Sequence, residues 1–484
     1  MSKPEISFLS EDGIERMHKA SLRILKETGV KVHSEKVRRL LAENGAEVND
    51  AIVKIPSSLV EEAINRAPEK ITMGAREPKC GFEVPSNDSP FLATSGFCPF
   101  VDDFETGEKR KSTSSDLKDF AIISDYLDSV DYFWPIVFPG ELPPPLQELH
   151  ALVISLENIR KHIQCSCVTE KTAKWQIRLA SAIVGGEEEL RKRPIFSAIN
   201  DPVSPLTFER GSAEAMVTLA RAGIPIGPAS GVTAAMTGPA TIAGALAVAT
   251  AEGLASLVII ECANPGAPMI YRSTAGTLNR KDAGKLARKN GKSYYGAHEG
   301  PFLSAAGAQM ARFYKLPSSV AGVGTGGIPS DDLLSFERNI LKIAMRFMCR
   351  TDLVPGLGSR GRGSVSLDGL ILGAEVSEHA RAYLRRFEVN DDTLALDVIH
   401  KVGPGGHFLG EKHTRVHFRK EIWSRELCDT FILSSVAKGS FLERARTKVK
   451  EILSTHKPPP IKEDVHKEMG RILRDAKKDI LGDS

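Results

Sequence analysis

From Phe91 onward, short apolar runs rich in β-branched and aromatic residues alternate with longer segments whose apolar positions recur every three or four residues. The short runs are Phe91–Ser95, Tyr132–Phe138, His162–Val168, Pro194–Ile199, Ile224–Ala229, Ser256–Cys262, Pro268–Tyr271, Ser318–Gly322 and Leu353–Leu357. The segments between them include Leu146–Lys161, Thr172–Val184, Ala213–Ala222, Thr241–Ala255, Phe302–Tyr314 and Asp331–Met348. Brief runs bounded by turn residues read as buried strands, and the three-to-four spacing reads as helix. Their alternation predicts a parallel sheet, closed or doubly wound. No G-x-G-x-x-G follows the first strand, which weakens a dinucleotide-binding sheet. The expected fold class is therefore α/β, a (β/α)8 TIM barrel. Nine candidate runs for eight strands mean that one of them is something else.

Both flanks read as helical. Ser10 caps a segment with Ile14, Met17, Leu22, Ile24 and Leu25 at helical spacing; Glu35–Asn44 is closed by Gly45; Pro56 opens a third helix along Leu59, Val60, Ala63 and Ile64. Beyond Lys420, Phe441–Leu453 and Ile461–Ile480 are separated by the rigid connector His456-Lys-Pro-Pro-Pro460. The expected organisation is an N-terminal helical arm (1–85), a barrel (86–424) and a C-terminal helical extension (425–484).

A barrel of this kind places its active site at the C-terminal ends of its strands. That rule selects Thr94, Ser95, Trp134, Cys167, Asn200, Asp201, Glu261, Cys262, Tyr271, Arg272 and the stretch Gly358–Arg362. The last belongs to DLVPGLGSRGRGSVS (352–366), where an apolar strand runs into a Gly-rich turn bearing Arg360 and Arg362. Arginine offers a planar fork of donors suited to a carboxylate or phosphate. Aromatic residues gather at the same ends, among them Phe97, Phe100, Phe133, Trp134, Tyr271, Tyr294 and Tyr295. A box of aromatic faces holds a quaternary ammonium through cation–π attraction, although packing alone also places aromatics there. Acids (Asp102, Asp103, Asp201, Glu261, Glu299) and bases (Arg272, His298, Arg360) stand beside them, so a zwitterionic ligand would use both sets.

Composition narrows the classes. The 484 residues carry 64 Lys+Arg against 61 Asp+Glu, a balance that argues against a dedicated nucleic-acid binder. The opening residues hold no apolar core of signal-peptide length, and runs such as Leu254–Cys262 are too short to span a bilayer, so a cytoplasmic location without membrane contact is expected. Seven scattered cysteines fit reduced thiols. There is no G-x-S-x-G and no P-loop. His413 and His417 are spaced i,i+4 and could bind a metal if the segment is helical; the two glycines just upstream fit a loop at least as well. Structural hydrogen bonding is the expectation there, and no bound metal.

Several segments, in order and spread end to end, resemble the trimethylamine methyltransferase superfamily of corrinoid-dependent methyltransferases. They are SFLSEDGIERMHKASLRILKETGVKV, FLATSGFCPFVDDFETGEKRKST, SPL (204–206), AMTGPATIAGAL (235–246), NPGAPMIY (264–271), AAGAQMARFYKLP (305–317) and GPGGHFLGEKHTRVHFRKEIW (403–423). The resemblance implies a barrel enzyme that moves a methyl group from a small methylated amine to the Co(I) of a corrinoid (cobalamin) carried on a cognate partner protein, with no metal bound directly. The 352–366 stretch aligns with the place where the trimethylamine enzymes carry pyrrolysine; an ordinary residue, Ser359 or a neighbour, stands there. That is similar to the non-pyrrolysine branch, whose substrates are quaternary amines such as betaines. On this footing Glu299 and Ser359 are the expected catalytic residues. Phe97, Trp134, Glu261, Tyr271, Arg272, His298 and Arg360 are the expected substrate contacts, and a homo-oligomer is expected. The chain departs from the family where Thr325-Gly326-Gly327-Ile328 replaces T-D-S-K, where Glu261 replaces a glutamine, and where His298 replaces a proline before Glu299. Two alternatives follow from these departures: acid–base chemistry by Glu261 and Glu299 on another substrate, and a non-catalytic, ligand-sensing relative.

Overall fold

The computed structural model describes residues 5–86, 89–273, 275–277, 299–320, 343–361, 363–385, 387–422 and 441–482, without the side chains of Arg360 and Phe441. The three N-terminal helices form as their caps dictate. Ser10 Oγ accepts from Gly13 N at 3.1 Å to start Glu11–Arg23, Ser34 Oγ accepts from Val37 N at 3.3 Å to start Glu35–Glu43, and Pro56 precedes Ser57–Arg66. The arm is not purely helical, however. Val30–Val32, Glu47–Asn49 and Ile52–Lys54 form a small antiparallel sheet, and Val30–Val32 also pairs in parallel with Thr207–Phe208. Strands of three residues are too short to show a period in sequence, so their alternation was hidden.

The run Ser256–Cys262 is not a strand. It is the last third of one helix, Ile242–Ala263, buried from Ala245 to Glu261 apart from Val248. This helix is long and apolar enough to cross a membrane, but most of its surface lies inside the fold. The arm helices Glu11–Arg23, Glu35–Glu43 and Ser57–Arg66 pack on it. A helix covered on every side is apolar on every side, so the amphipathic period is lost and its β-branched end imitates a strand.

The other eight runs pair in parallel. Leu353–Leu357 pairs with Phe91–Thr94, which pairs with Tyr132–Phe133, then His162–Ser166, then Phe196–Ile199. Single bridges continue the series: Ala198 with Ile226, Ile226 with Met269, Tyr271 with Ser318, and Ser319 with Leu353. The pairing thus returns to the strand from which it started.

Side chains alternate across these strands. Ile163 and Cys165 face outward into the main core with the helices, while Ala93, Tyr132, Ile270 and Leu353 face inward. At the N-terminal ends of the strands the interior is stopped by a hairpin, Ile71–Met73 paired with Phe82–Val84. Ile71, Met73 and Val84 join the inward cluster, Phe82 stacks on Phe91 at 4.0 Å, and His162 Nδ1 lies 2.6 Å from Gly74 O. Burial keeps the His162 imidazole neutral, its pKa lowered to about 4. A cavity of about 350 Å³ beside this hairpin, lined by Lys70, Glu83, Val84 and Phe91, lies at the stopped end.

The C-terminal helices Phe441–Thr455 and Glu463–Leu481 pack back on Ser114–Tyr126, Pro144–Asn158 and Glu170–Val184 of the same chain. His456 Nε2 meets Asp125 Oδ2 at 2.9 Å, beside Arg160 Nε at 2.9 Å, and Asp479 accepts from Trp175 Nε1 at 2.9 Å.

Candidate functional site

Opposite the hairpin, the C-terminal ends of the strands and the loops that follow them make up the mouth of the fold. Trp134 is its central aromatic. Thr94 Oγ1 donates to Trp134 O at 2.5 Å and accepts from Trp134 N at 2.9 Å, which pins the backbone at the end of its strand. The indole lies over Gly96 so closely that any Cβ there would overlap it. Phe97 adopts a positive φ of 60°, a conformation an aromatic residue rarely takes. It sets its ring edge-on to Trp134 at 5.2 Å and stacks it on Phe138 at 4.8 Å.

Arg272 lies across from them. Its guanidinium carbon stands 5.1 Å from the Trp134 ring. The side chain is 3% exposed, and Nε and Nη1 have no hydrogen-bond partner among the described residues. Burial lowers its pKa, and the field of Asp201 opposes that shift. A buried guanidinium is costly without acceptors for its donors and well placed to meet an anion. Asp201 follows the Phe196–Ile199 strand, and its Oδ1 accepts from Ala229 N at 2.7 Å. It stays open to solvent at the strand ends, although protein surrounds its carboxylate on most sides. Removal of surrounding water pushes its carboxyl up to about 6, against the attraction of Arg272.

Below Arg272 the inward face remains polar. Tyr132 Oη, Trp134 Nε1 and both amide atoms of Gln164 are buried without partners among the described residues. Gln164 shares the face of His162, two residues away on the same strand. Neither Tyr132 nor Gln164 was singled out in the sequence; alternation from Trp134 and from His162 was the available signal.

Glu252, near the middle of the Ile242–Ala263 helix, holds two of the loops that shape the mouth. Its carboxylate accepts from Ser204 Oγ at 2.8 Å, Leu206 N at 2.8 Å and Ser230 Oγ at 2.6 Å. Burial nevertheless raises its pKa.

The structure brings together Phe97, Trp134 and Arg272 of the expected contacts. Ser359 lies on Ser359–Gly361, whose partner strand pairs with Phe100–Asp102, so it sits at the rim beside the Phe97 loop. Glu299 precedes the Gly300–Phe313 helix and accepts from Thr277 Oγ1 at 3.1 Å, beyond the end of the strand that carries Arg272. Tyr271 does not face the mouth. It is adjacent to Arg272 on a strand and so points the other way, against Gly253 of the core helix and Tyr314. Glu261 is also outside. It ends the core helix and accepts from Gly266 N at 2.8 Å, before the strand that carries Arg272 begins. Glu261 and Glu299 therefore lie at opposite ends of that strand and form no acid–base pair. His298, Tyr294, Tyr295 and Thr325–Ile328 lie outside the described residues, as does the side chain of Arg360.

The model of the trimethylamine methyltransferase family (MTTB) matches residues 1–480. A glycine betaine methyltransferase of Desulfitobacterium hafniense (strain Y51) is 26% identical over 481 residues, covering 99% of this chain and 98% of its own. A trimethylamine methyltransferase, MttB, of Methanosarcina barkeri is 29% identical over 495 residues, covering 99% and 97%. Among solved structures, the monomethylamine methyltransferase MtmB of Methanosarcina barkeri superposes with a TM-score of 0.52 at 11% identity, covering 93% of this chain and 88% of its own, a likeness of fold alone.

Proposed function

The chain belongs to the trimethylamine methyltransferase family, and from that premise we propose that it takes a methyl group from a quaternary amine bearing a carboxylate and delivers it to the Co(I) of a corrinoid on a partner protein. The ring of parallel pairings supports reading the body as a closed (β/α)8 barrel, with residues 1–85 as an arm and 425–484 as an extension. The observation that carries the reading of the substrate is Arg272, a buried guanidinium whose Nε and Nη1 meet no acceptor among the described residues, beside the Trp134 and Phe97 rings. Its fork receives the carboxylate of a betaine. The aromatic faces and the Asp201 carboxylate receive the cationic end.

The reaction asks little covalent chemistry of the protein. The C–N bond breaks with its electron pair leaving on nitrogen, so the product amine is neutral and needs no general acid. The corrinoid enters as the methyl acceptor and supplies the attacking electron pair. The chain's part is to fix the methyl group in line and to keep water away. Arg272 anchors one end of the substrate, and the stopped floor below Tyr132 excludes solvent from the other side.

The test mixes the chain, a reduced corrinoid protein and a panel of N-methylated compounds, and follows loss of the Co(I) absorbance. Transfer from a betaine, with trimethylamine inert, is the expected result. No transfer from any N-methylated compound refutes the proposal.

A further inference from the structure

Residues 387–422 form a lobe that is built without a core. Its helices, Asp391–Leu394, Leu396–Val402 and Lys412–Glu421, have no buried residue. Leu396, Ile399, Leu409, Val416 and Phe418 are all exposed; Leu409 is 79% so. Polar links hold it: Lys401 Nζ to Glu411 at 2.7 Å, Thr414 Oγ1 to Phe408 O at 2.6 Å, and Arg385 to Glu421 O at its base. A small unit that cannot bury apolar surface is the usual setting for a structural metal.

The lobe contains the ligands for one. Lys412–Glu421 is helical, not the loop that the upstream glycines also fit, so His413 and His417 share a face one turn apart. Their rings stack at 4.1 Å. Asn390 caps the Asp391–Leu394 helix by accepting from Thr393 N at 2.9 Å, which fixes Asp392 in its first turn. His417 Nε2 stands 3.4 Å from Asp392 Oδ2, and His413 Nε2 lies 3.1 Å from Asp392 O. One ligand atom from each of the three residues lies within 4.8 Å of the others. Tetrahedral bonds of about 2.0–2.2 Å set ligand atoms about 3.3–3.6 Å apart, so the His417–Asp392 edge already has the right length.

The geometry points to a site for a late first-row divalent cation of the zinc class, formed by Asp392, His413 and His417, that cross-links the two ends of this lobe. Two imidazoles disfavour the hard, oxygen-seeking magnesium and calcium, and water completes the coordination. The role is structural: the ion ties Asp391–Leu394 to Lys412–Glu421, neither of which has a buried residue. This inference is independent of methyl transfer.

The test uses the untagged full chain, stripped with EDTA and dialysed. Zinc titrated by calorimetry should bind at one equivalent, and Co²⁺ should develop the intense visible bands of a four-coordinate N/O site. Zinc should also slow proteolysis within 387–422. His413→Ala, His417→Ala and Asp392→Asn should each weaken zinc at least 100-fold, while His407→Ala leaves it unchanged. Unaltered circular dichroism and melting of the stripped variants, whose changes lie outside any core, will show that they fold. Several weak equivalents, no saturable binding, or equal binding by wild type and His413→Ala would each overturn the proposal.

Discussion

Gly96→Ala is the smallest change that should disable the mouth. Gly96 does not have a positive φ, so alanine strains no backbone there; the conflict is one of space. The new Cβ would fall 2.1 Å from Trp134 Cε2, 2.3 Å from Nε1 and 2.5 Å from Cδ2. Ordinary carbon contacts need about 3.5–4.0 Å, so the indole must retreat by about 1.5 Å. It has little room to do so, because Thr94 holds its backbone twice, Phe97 closes one edge and Arg272 lies over its face. Overpacking of this kind costs about 1–3 kcal/mol. A shift of that size in a positioning group costs about 100-fold in kcat/KM. Methyl transfer from a betaine to Co(I) corrinoid measures the second, and thermal melting with near-ultraviolet circular dichroism measures the first. Gly410→Ala, which meets nothing within 4 Å, is the neutral control. Adding Trp134→Phe to Gly96→Ala should recover stability, since the smaller ring leaves the contested space. The reasoning fails if Gly96→Ala keeps activity within threefold and an unchanged near-ultraviolet spectrum.

Three further outcomes are expected. Arg272→Met should raise KM for a betaine about 10- to 100-fold, the worth of charged hydrogen bonds of roughly 1.5–3 kcal/mol; steady-state kinetics check this, and melting should show no loss of stability, because a buried charge whose Nε and Nη1 meet no acceptor among the described residues is removed. Asp201 has a carboxyl raised from 3.8 to about 6. The folded state therefore holds an extra proton between these values, and stability falls as pH rises through that window. KM for a cationic substrate should rise as pH falls below about 6, and Asp201→Asn should flatten both profiles. Glu252→Ala leaves three donors, on Ser204, Leu206 and Ser230, without their acceptor; at roughly 1 kcal/mol each the loss is about 3 kcal/mol, measurable by chemical denaturation.

Much of the strand order was legible in the sequence, because eight buried runs between helices carry the signal of β-branched and aromatic residues. The error at Ser256–Cys262 has a tertiary cause: the arm helices cover the core helix, and total burial erases its period. The floor hairpin was hidden for another reason. Ile71–Met73 and Phe82–Val84 are three residues each, too short to show a period, and the residues they cover, Ile270 and Leu353 among them, lie far along the chain. At the mouth, the rule that sites gather at strand ends selected Trp134 and Arg272, which the structure brings side by side. Tyr271 and Arg272 were both assigned to the site, yet adjacent strand residues face opposite ways, so the pattern itself forbade the pair. Glu261 failed with the strand on which it was placed. Asp392 and the two histidines of its lobe are distant in sequence, and only the helical state of Lys412–Glu421 unites them.

The hairpin beneath the strands has a kinetic consequence. A chamber stopped at one end has a single door, so whatever lies deeper must enter first and leave last. Arg272 and Trp134 are buried below the rim that carries Ser359. A small substrate would have to load before a methyl-accepting partner covers that rim, and the demethylated amine would have to wait for the partner to depart. Turnover should then follow a compulsory order, and excess acceptor protein should inhibit by closing the door on an empty chamber.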